Sequence, residues 1–177
     1  LKTAKDKLFW QTYPKNDDLD FVYKYLRLDT EYEKLIEKIS KDAHVKRAIK
    51  FQPNLRLLHQ DFEETLLSFI LSSNNAIKSI RKSIRILADD YGEKIKVDDM
   101  IFNLFPKTEV LAEANMDGLL RSKIGFRAKY LKEAANHILK QNTAQLLAKS
   151  NEENARKKLI EIKGIGLLYS AYFIVLN

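Results

Sequence analysis

Apolar residues recur at intervals of three and four along most of this chain, the spacing of amphipathic helices rather than strands. The exception is residues 6–14, DKLFWQTYP, where aromatics and Thr form a short run closed by Pro14; this predicts a strand or the remnant of one. Three short helices follow in DDLDFVYKYL, DTEYEKLIEKIS and KDAHVKRAIKF, each with Asp or Thr near its start, and QPN at 52–54 breaks the chain. DFEETLLSFILSS opens with Asp61 and Glu64 in the spacing of a capping box and is then apolar on all sides, which predicts a helix at the centre of a core. NNAIKSIRKSIRILADDYG places Ile77, Ile80, Ile84 and Leu87 on one helical face and Lys78, Arg81, Lys82 and Arg85 on another. Near the end, NEENARKKLIEI predicts a helix with Ala155, Leu159, Ile160 and Ile162 inward, and LLYSAYFIVL predicts a more buried one, with only KGIG between them. The fold class is mostly α.

Two junctions between these helices carry candidate chemistry. Asn74 and Asn75 sit between the apolar helix and the basic one. They can cap helix ends, since Asn tolerates left-handed backbone, or present exposed amides to a base or a gap in a stack. In GIG, Gly164 and Gly166 permit positive φ and leave N–H groups unshielded at the start of the next helix, where the dipole favours an anion such as a DNA phosphate. Ile165 between them pins the turn into the core. The pattern fits a DNA-binding hairpin and an ordinary tight turn equally well.

Composition changes this picture in two ways. The 177 residues contain no cysteine and only His44, His59 and His137, which excludes disulfides and thiolate metal sites and disfavours a histidine-rich one. No run is apolar enough to span a membrane and no targeting segment is visible, so an intracellular location, cytoplasm or nucleoid, is expected. The net charge of +7 is uneven: residues 120–177 carry 11 Lys and Arg against 4 Asp and Glu, whereas residues 61–119 carry 7 against 11. A basic surface of this kind attracts polyanions through counterion release, and nucleic acid is the first partner to consider.

KGIGLLYSAYF resembles the helix-hairpin-helix of the base-excision DNA glycosylase superfamily, whose hairpin reads Leu-Pro-Gly-Val/Ile-Gly. NLRLLHQDFEETLLSFILSSNNAI (54–77) and KIGFRAKYLKEAANHIL (123–139) are similar to the 8-oxoguanine DNA glycosylases, in the same order and at nearly the same spacing. The resemblance implies the end of an N-terminal sheet domain at 1–16 and first helices packing on the core at 17–60. It further implies a helical glycosylase core at 61–177 that ends in the helix-hairpin-helix at 152–177. By position it also implies roles: Gly164 and Gly166 clamp a phosphate, Asn74 and Asn75 fall where an Asn fills the gap left by a flipped nucleotide, and Phe126 is the wedge. Arg127 would hydrogen-bond the orphaned base, and Lys129 joins the DNA-binding set. Backbone carbonyls of Ile160, Ile162 and Ile165 would be able to hold a monovalent cation; no cofactor is expected. The implied partner is double-stranded DNA with a damaged base, bound by a monomer without a membrane.

The departures concern chemistry. Leu168 stands where bifunctional members carry the Schiff-base lysine, so lyase chemistry by that route is excluded; Lys163 lies before the first Gly, at the family's proline position. Ser79 occupies the place of a second base-contacting arginine, which puts discrimination of the opposite base in doubt. Monofunctional 3-methyladenine glycosylases resemble the chain at Tyr172, where an aromatic stacks on a cationic alkylated purine, and SAYF looks like their ANYF. The family's catalytic aspartate is expected beyond Asn177. The expected function is therefore a monofunctional glycosylase that removes a damaged purine, 3-methyladenine favoured, with the chain itself an inactive fragment. An 8-oxoguanine glycosylase without its lysine and a non-catalytic DNA-binding module are the alternatives.

Overall fold

The computed structural model describes residues 2–4, 7–13, 15, 18–167 and 170. The chain divides into two compact units, residues 1–59 and 60–177.

In the first unit, β1 (Lys2–Ala4) and β2 (Lys7–Phe9) pair antiparallel with Thr3 opposite Leu8. The helices α1 (Leu19–Tyr25), α2 (Tyr32–Ile39) and α3 (Ala43–Phe51) follow. Asp18 and Asp42 cap α1 and α3 by accepting backbone N–H bonds, and Gln52 ends α3 at the expected break. Tyr32 then holds the next segment, its hydroxyl donating to the carbonyls of Pro53 and Leu55, while the Arg56 guanidinium lies 4.2 Å from its ring centroid. Val22 is the one buried hydrophobic residue among those described in this unit.

The second unit contains a continuous core. Around α4 (Phe62–Ser72) run α5 (Ile77–Tyr91), a hairpin of β3 (Lys94–Val97) and β4 (Met100–Asn103), and then α6 (Thr108–Glu113), α7 (Met116–Arg121), α8 (Arg127–Gln141), α9 (Thr143–Ala148) and α10 (Glu152–Glu161). Leu66, Leu67, Ile70 and Leu71 of α4 are fully buried against Leu131, Ala134 and Ala135 of α8, Leu111 of α6 and Leu159 of α10, so α4 is central as its all-round apolar sequence predicts. Two apolar positions depart from expectation. Ile77 is 70% exposed because it opens α5 beyond the reach of the core, and Ile160 is 43% exposed because the buried face of α10 runs through Ala155 and Leu159, leaving their neighbour turned outward.

Asp61 caps α4 by accepting the Glu64 N–H at 2.8 Å. Glu64 is half-buried there, and desolvation, with Asp61 adding like charge, raises its carboxyl above the usual range. A raised carboxyl binds its proton more tightly folded than unfolded, so its ionisation costs stability above the folded pKa, and that cost vanishes as pH falls through it. Glu64→Gln is expected to raise Tm at neutral pH and to leave it unchanged in acid; thermal unfolding at both pH values checks this.

Candidate nucleic-acid interface

Three turns of the second unit meet at the C-terminal end of α4 and the start of α8. The first lies between α10 and the helical turn beginning at Leu167. Ile162 and Ile165, 1% and 6% exposed, anchor it in the core, and the Ile165 N–H donates to the Ile162 carbonyl at 3.0 Å. Gly164 has φ +94°, and a Cβ there would lie 3.4 Å from the Tyr130 Cβ and 3.6 Å from Ile70. Gly166 is different: its φ is not left-handed, and among the described residues nothing lies within 4 Å of where its Cβ would be. Among the described residues no contact requires glycine at 166. The N–H groups of Gly164, Gly166 and Leu167 donate to no acceptor among the described residues, the unpaired donor set of a helix start. Lys163 pairs instead with Glu133 of α8, Nζ to Oε2 3.3 Å.

The second turn joins α4 to α5, and it separates the two asparagines. Asn75 donates from Nδ2 to the Leu71 carbonyl at 3.1 Å, capping α4. Asn74 has φ +47° and is exposed, with its side chain in no hydrogen bond among the described residues. Asn75 is thus held by a structural bond, and Asn74 alone is presented outward.

The third turn leads into α8. Phe126 is 60% exposed and packs edge-on to Tyr130, ring centroids 6.1 Å apart. Arg127 is 9% exposed, and its guanidinium faces inward, with Nε donating to the Ser73 carbonyl at 2.7 Å and Nη2 to the Asn74 carbonyl at 2.7 Å. These bonds satisfy the donors of a buried cation within the protein. Lys129 is exposed, beside a groove of about 560 Å³ that Lys132, His137 and Lys140 also line.

Tyr130 was missed by sequence reasoning, yet it touches both the Gly164 turn and the Phe126 ring and so joins two of the three turns. Its spacing of four from Phe126 on a helix was the available signal. The Ile160 carbonyl, in the last turn of α10, accepts no backbone N–H among the described residues, and the Ile162 carbonyl has one partner. Such carbonyls suit a monovalent cation, so these residues fit that expectation. Among the described residues no group of His, Asp and Glu could hold a metal, and no helix is long and apolar enough to cross a membrane. Leu168 and Tyr172 lie outside the described residues.

A family profile described as the 8-oxoguanine DNA glycosylase N-terminal domain matches residues 1–66. The Saccharomyces cerevisiae N-glycosylase/DNA lyase is 31% identical over 157 residues, covering 81% of this chain and 42% of that protein. Among solved structures, MBOgg1 in complex with a low-affinity DNA ligand superposes with TM-score 0.81 at 34% identity, over 92% of this chain and 58% of the other. The apo 8-oxoguanine glycosylase/lyase of Clostridium acetobutylicum gives 0.82 at 28% identity, over 89% and 56%. The chain thus spans about half the length of the relatives it matches.

Proposed function

Since the chain belongs to the helix-hairpin-helix DNA glycosylase superfamily, we propose that its protein excises a damaged purine from double-stranded DNA. The observation that carries this is a hairpin whose N–H groups at Gly164, Gly166 and Leu167 meet no acceptor among the described residues, on a turn that packs against Tyr130, whose ring meets the exposed Phe126. An enzyme that acts on a base must draw it out of the stack and hold the duplex open. In this reading the N–H groups of Gly164 and Gly166 take one phosphate, Asn74 fills the vacated space, and Phe126 wedges beside the orphaned base. Lys129 adds non-specific attraction from an exposed position on α8. A monovalent cation on the carbonyls of Ile160 and Ile162, with that of Ile165, would add positive charge near the phosphate.

The chemistry follows from what stands at the nucleophile position. Leu168 has no amine to attack C1′, so the nucleophile is water: the N-glycosidic bond breaks, the sugar gains a hydroxyl, and the base leaves with a proton. Base release then leaves an intact abasic strand. An oxidised guanine is the favoured substrate, because the Clostridium relative is an 8-oxoguanine glycosylase/lyase and the matching domain profile bears the same substrate name. The second reading is an alkylated purine, which Leu168 and the aromatic Tyr172 favour through their resemblance to the lysine-free enzymes.

The test is release of free base by the whole protein from duplexes carrying 8-oxoguanine or 3-methyladenine, scored separately from strand cleavage. Release of 8-oxoguanine with the backbone intact is the expected result. Release of 3-methyladenine alone selects the second reading. Binding without release of either sinks the catalytic proposal and leaves a DNA-binding module, and borohydride-trapped enzyme on DNA overturns the hydrolytic chemistry.

A further inference from the structure

The proposed function leaves the basic stripe of α5 unassigned. Lys78, Arg81, Lys82 and Arg85 share one helical face and are all exposed, while the buried Ser83 and Leu87 and the partly buried Ile84 occupy the opposite side. Four of the seven Lys and Arg between residues 61 and 119, the acid-rich third of the chain, thus fall within eight consecutive positions. None of the four forms an ion pair among the described residues. Asp89, one turn beyond Arg85, accepts instead from Asn103 Nδ2 at 2.6 Å.

Helix stability does not account for this arrangement. Like charges at i, i+3 and i, i+4 repel. Lys78 stands in the first turn, where the helix dipole disfavours a cation, and Asp89 and Asp90 stand in the last, where it disfavours an anion. Two other charged helices are built the opposite way. In α10, Glu152 and Glu153 occupy the first turn and pair with Arg156 and Lys157, each at 2.8 Å, and Lys34 of α2 pairs with Glu31 at 2.7 Å. Those faces neutralise themselves, whereas the face of α5 leaves four positive charges for something else to meet.

We propose that this stripe is a second phosphate-binding surface, which tracks the backbone of the duplex flanking the lesion. This rests on the proposed function in that Asn74 is taken to enter the duplex: Lys78 follows Asn74 by four residues, so the stripe begins next to the insertion point. From Lys78 to Arg85 the helix rises about 10 Å, which matches about three base-pair steps of roughly 3.4 Å. A nucleic-acid strand offers negative charge repeated over such a length, and a single carboxylate or small anion does not. Contacts of this kind act through counterion release and carry no base preference.

The experiment uses the whole protein and duplexes bearing a tetrahydrofuran abasic analogue, with long flanks on both sides or on one side only. Neutralising the stripe (Lys78→Gln, Arg81→Gln, Lys82→Gln and Arg85→Gln together) is expected to reduce the slope of log affinity against log salt by about 2.7, or 0.9 for each of roughly three phosphates. Its Tm should hold or rise, since repulsion within α5 is relieved. Trimming one flank should abolish the difference from wild type, and trimming the other should preserve it. Arg81→Lys with Arg85→Lys keeps the charges and should keep the slope. Lys78→Gln with Arg85→Gln, with a smaller fall in slope, carries the test where the fourfold variant fails to fold. Neutralising Lys38, Lys41, Lys46 and Lys50, exposed cations of the first unit, removes the same charge and should leave the slope as in wild type. An unchanged slope in the stripe variant overturns the proposal and leaves α5 a solvated face or a dock for an acidic protein. An equal fall from the first-unit control overturns it too, as does a loss that survives trimming of either flank. Failure of the proposed function looks different: a wild type that binds duplex without releasing a base sinks that reading and leaves the slope comparison to decide this one.

Discussion

Replacing Gly166 with valine is expected to lower affinity for every duplex, damaged or not, while leaving the melting temperature unchanged or slightly raised. The side chain would project into space that no atom of the described residues occupies, at a backbone φ outside the left-handed region, so their packing has nothing to lose. Less freedom in the unfolded chain even favours the variant, by about 0.4–1 kcal/mol for such Gly substitutions. In the proposed reading the valine obstructs the approach of a phosphate to the N–H groups of the hairpin. Hydrogen bonds to a charged group contribute about 1.5–3 kcal/mol, which corresponds to a loss of roughly 10- to 100-fold in affinity. Gly164 provides the contrast. Valine there meets φ +94° and the Tyr130 Cβ at 3.4 Å, so its Tm falls along with its affinity. Fluorescence-anisotropy titrations beside thermal melts separate the two. If Gly166→Val melts early and binds normally, the glycine serves the turn and the clamp is wrong.

That contrast marks the limit of what the chain discloses by itself. The GIG spacing and the helix before it were legible, because apolar period and turn chemistry are local, while the helix expected in LLYSAYFIVL lies outside the described residues. That Gly164 packs against Ile70 and Tyr130, while Gly166 has no such neighbour among the described residues, depends on groups about 95 and 35 positions away. The central position of α4 was legible from its all-round apolar sequence, and the cap at Asp61 from its spacing. The β3–β4 hairpin went unread although Lys94, Ile95, Lys96 and Val97 alternate in exposure with a period of two and Asp98 makes the left-handed turn. Its strands are four residues each, too short to stand out against helical flanks. The two asparagines looked equivalent because neighbouring Asn residues offer identical chemistry; only the Leu71 carbonyl and the Arg127 fork decide that one caps and the other points outward. The burial of Arg127 against the Ser73 and Asn74 carbonyls was likewise not legible, because those groups lie more than fifty residues away.

Truncating Phe126 to alanine should produce the complementary defect. The ring is 60% exposed, and among the described residues it meets the Tyr130 edge and the Arg127 guanidinium, so its removal costs the fold little. A large apolar ring kept in water beside an exposed Asn is poorly explained by packing and well explained by insertion between bases. Stacking of an aromatic side chain on a base is worth about 1–3 kcal/mol by alanine substitution, so affinity for a duplex with an abasic analogue is expected to fall about 5- to 100-fold. Unmodified duplex, held through phosphates at the hairpin, should bind as before, because its stack is closed to the wedge. Phe126→Tyr retains the ring and should retain the preference. The hairpin and wedge variants thus fail differently: one lowers all affinities together, the other removes the difference between damaged and intact DNA. Should Phe126→Ala weaken both duplexes equally, the ring belongs to the general binding surface and the wedge role must be withdrawn.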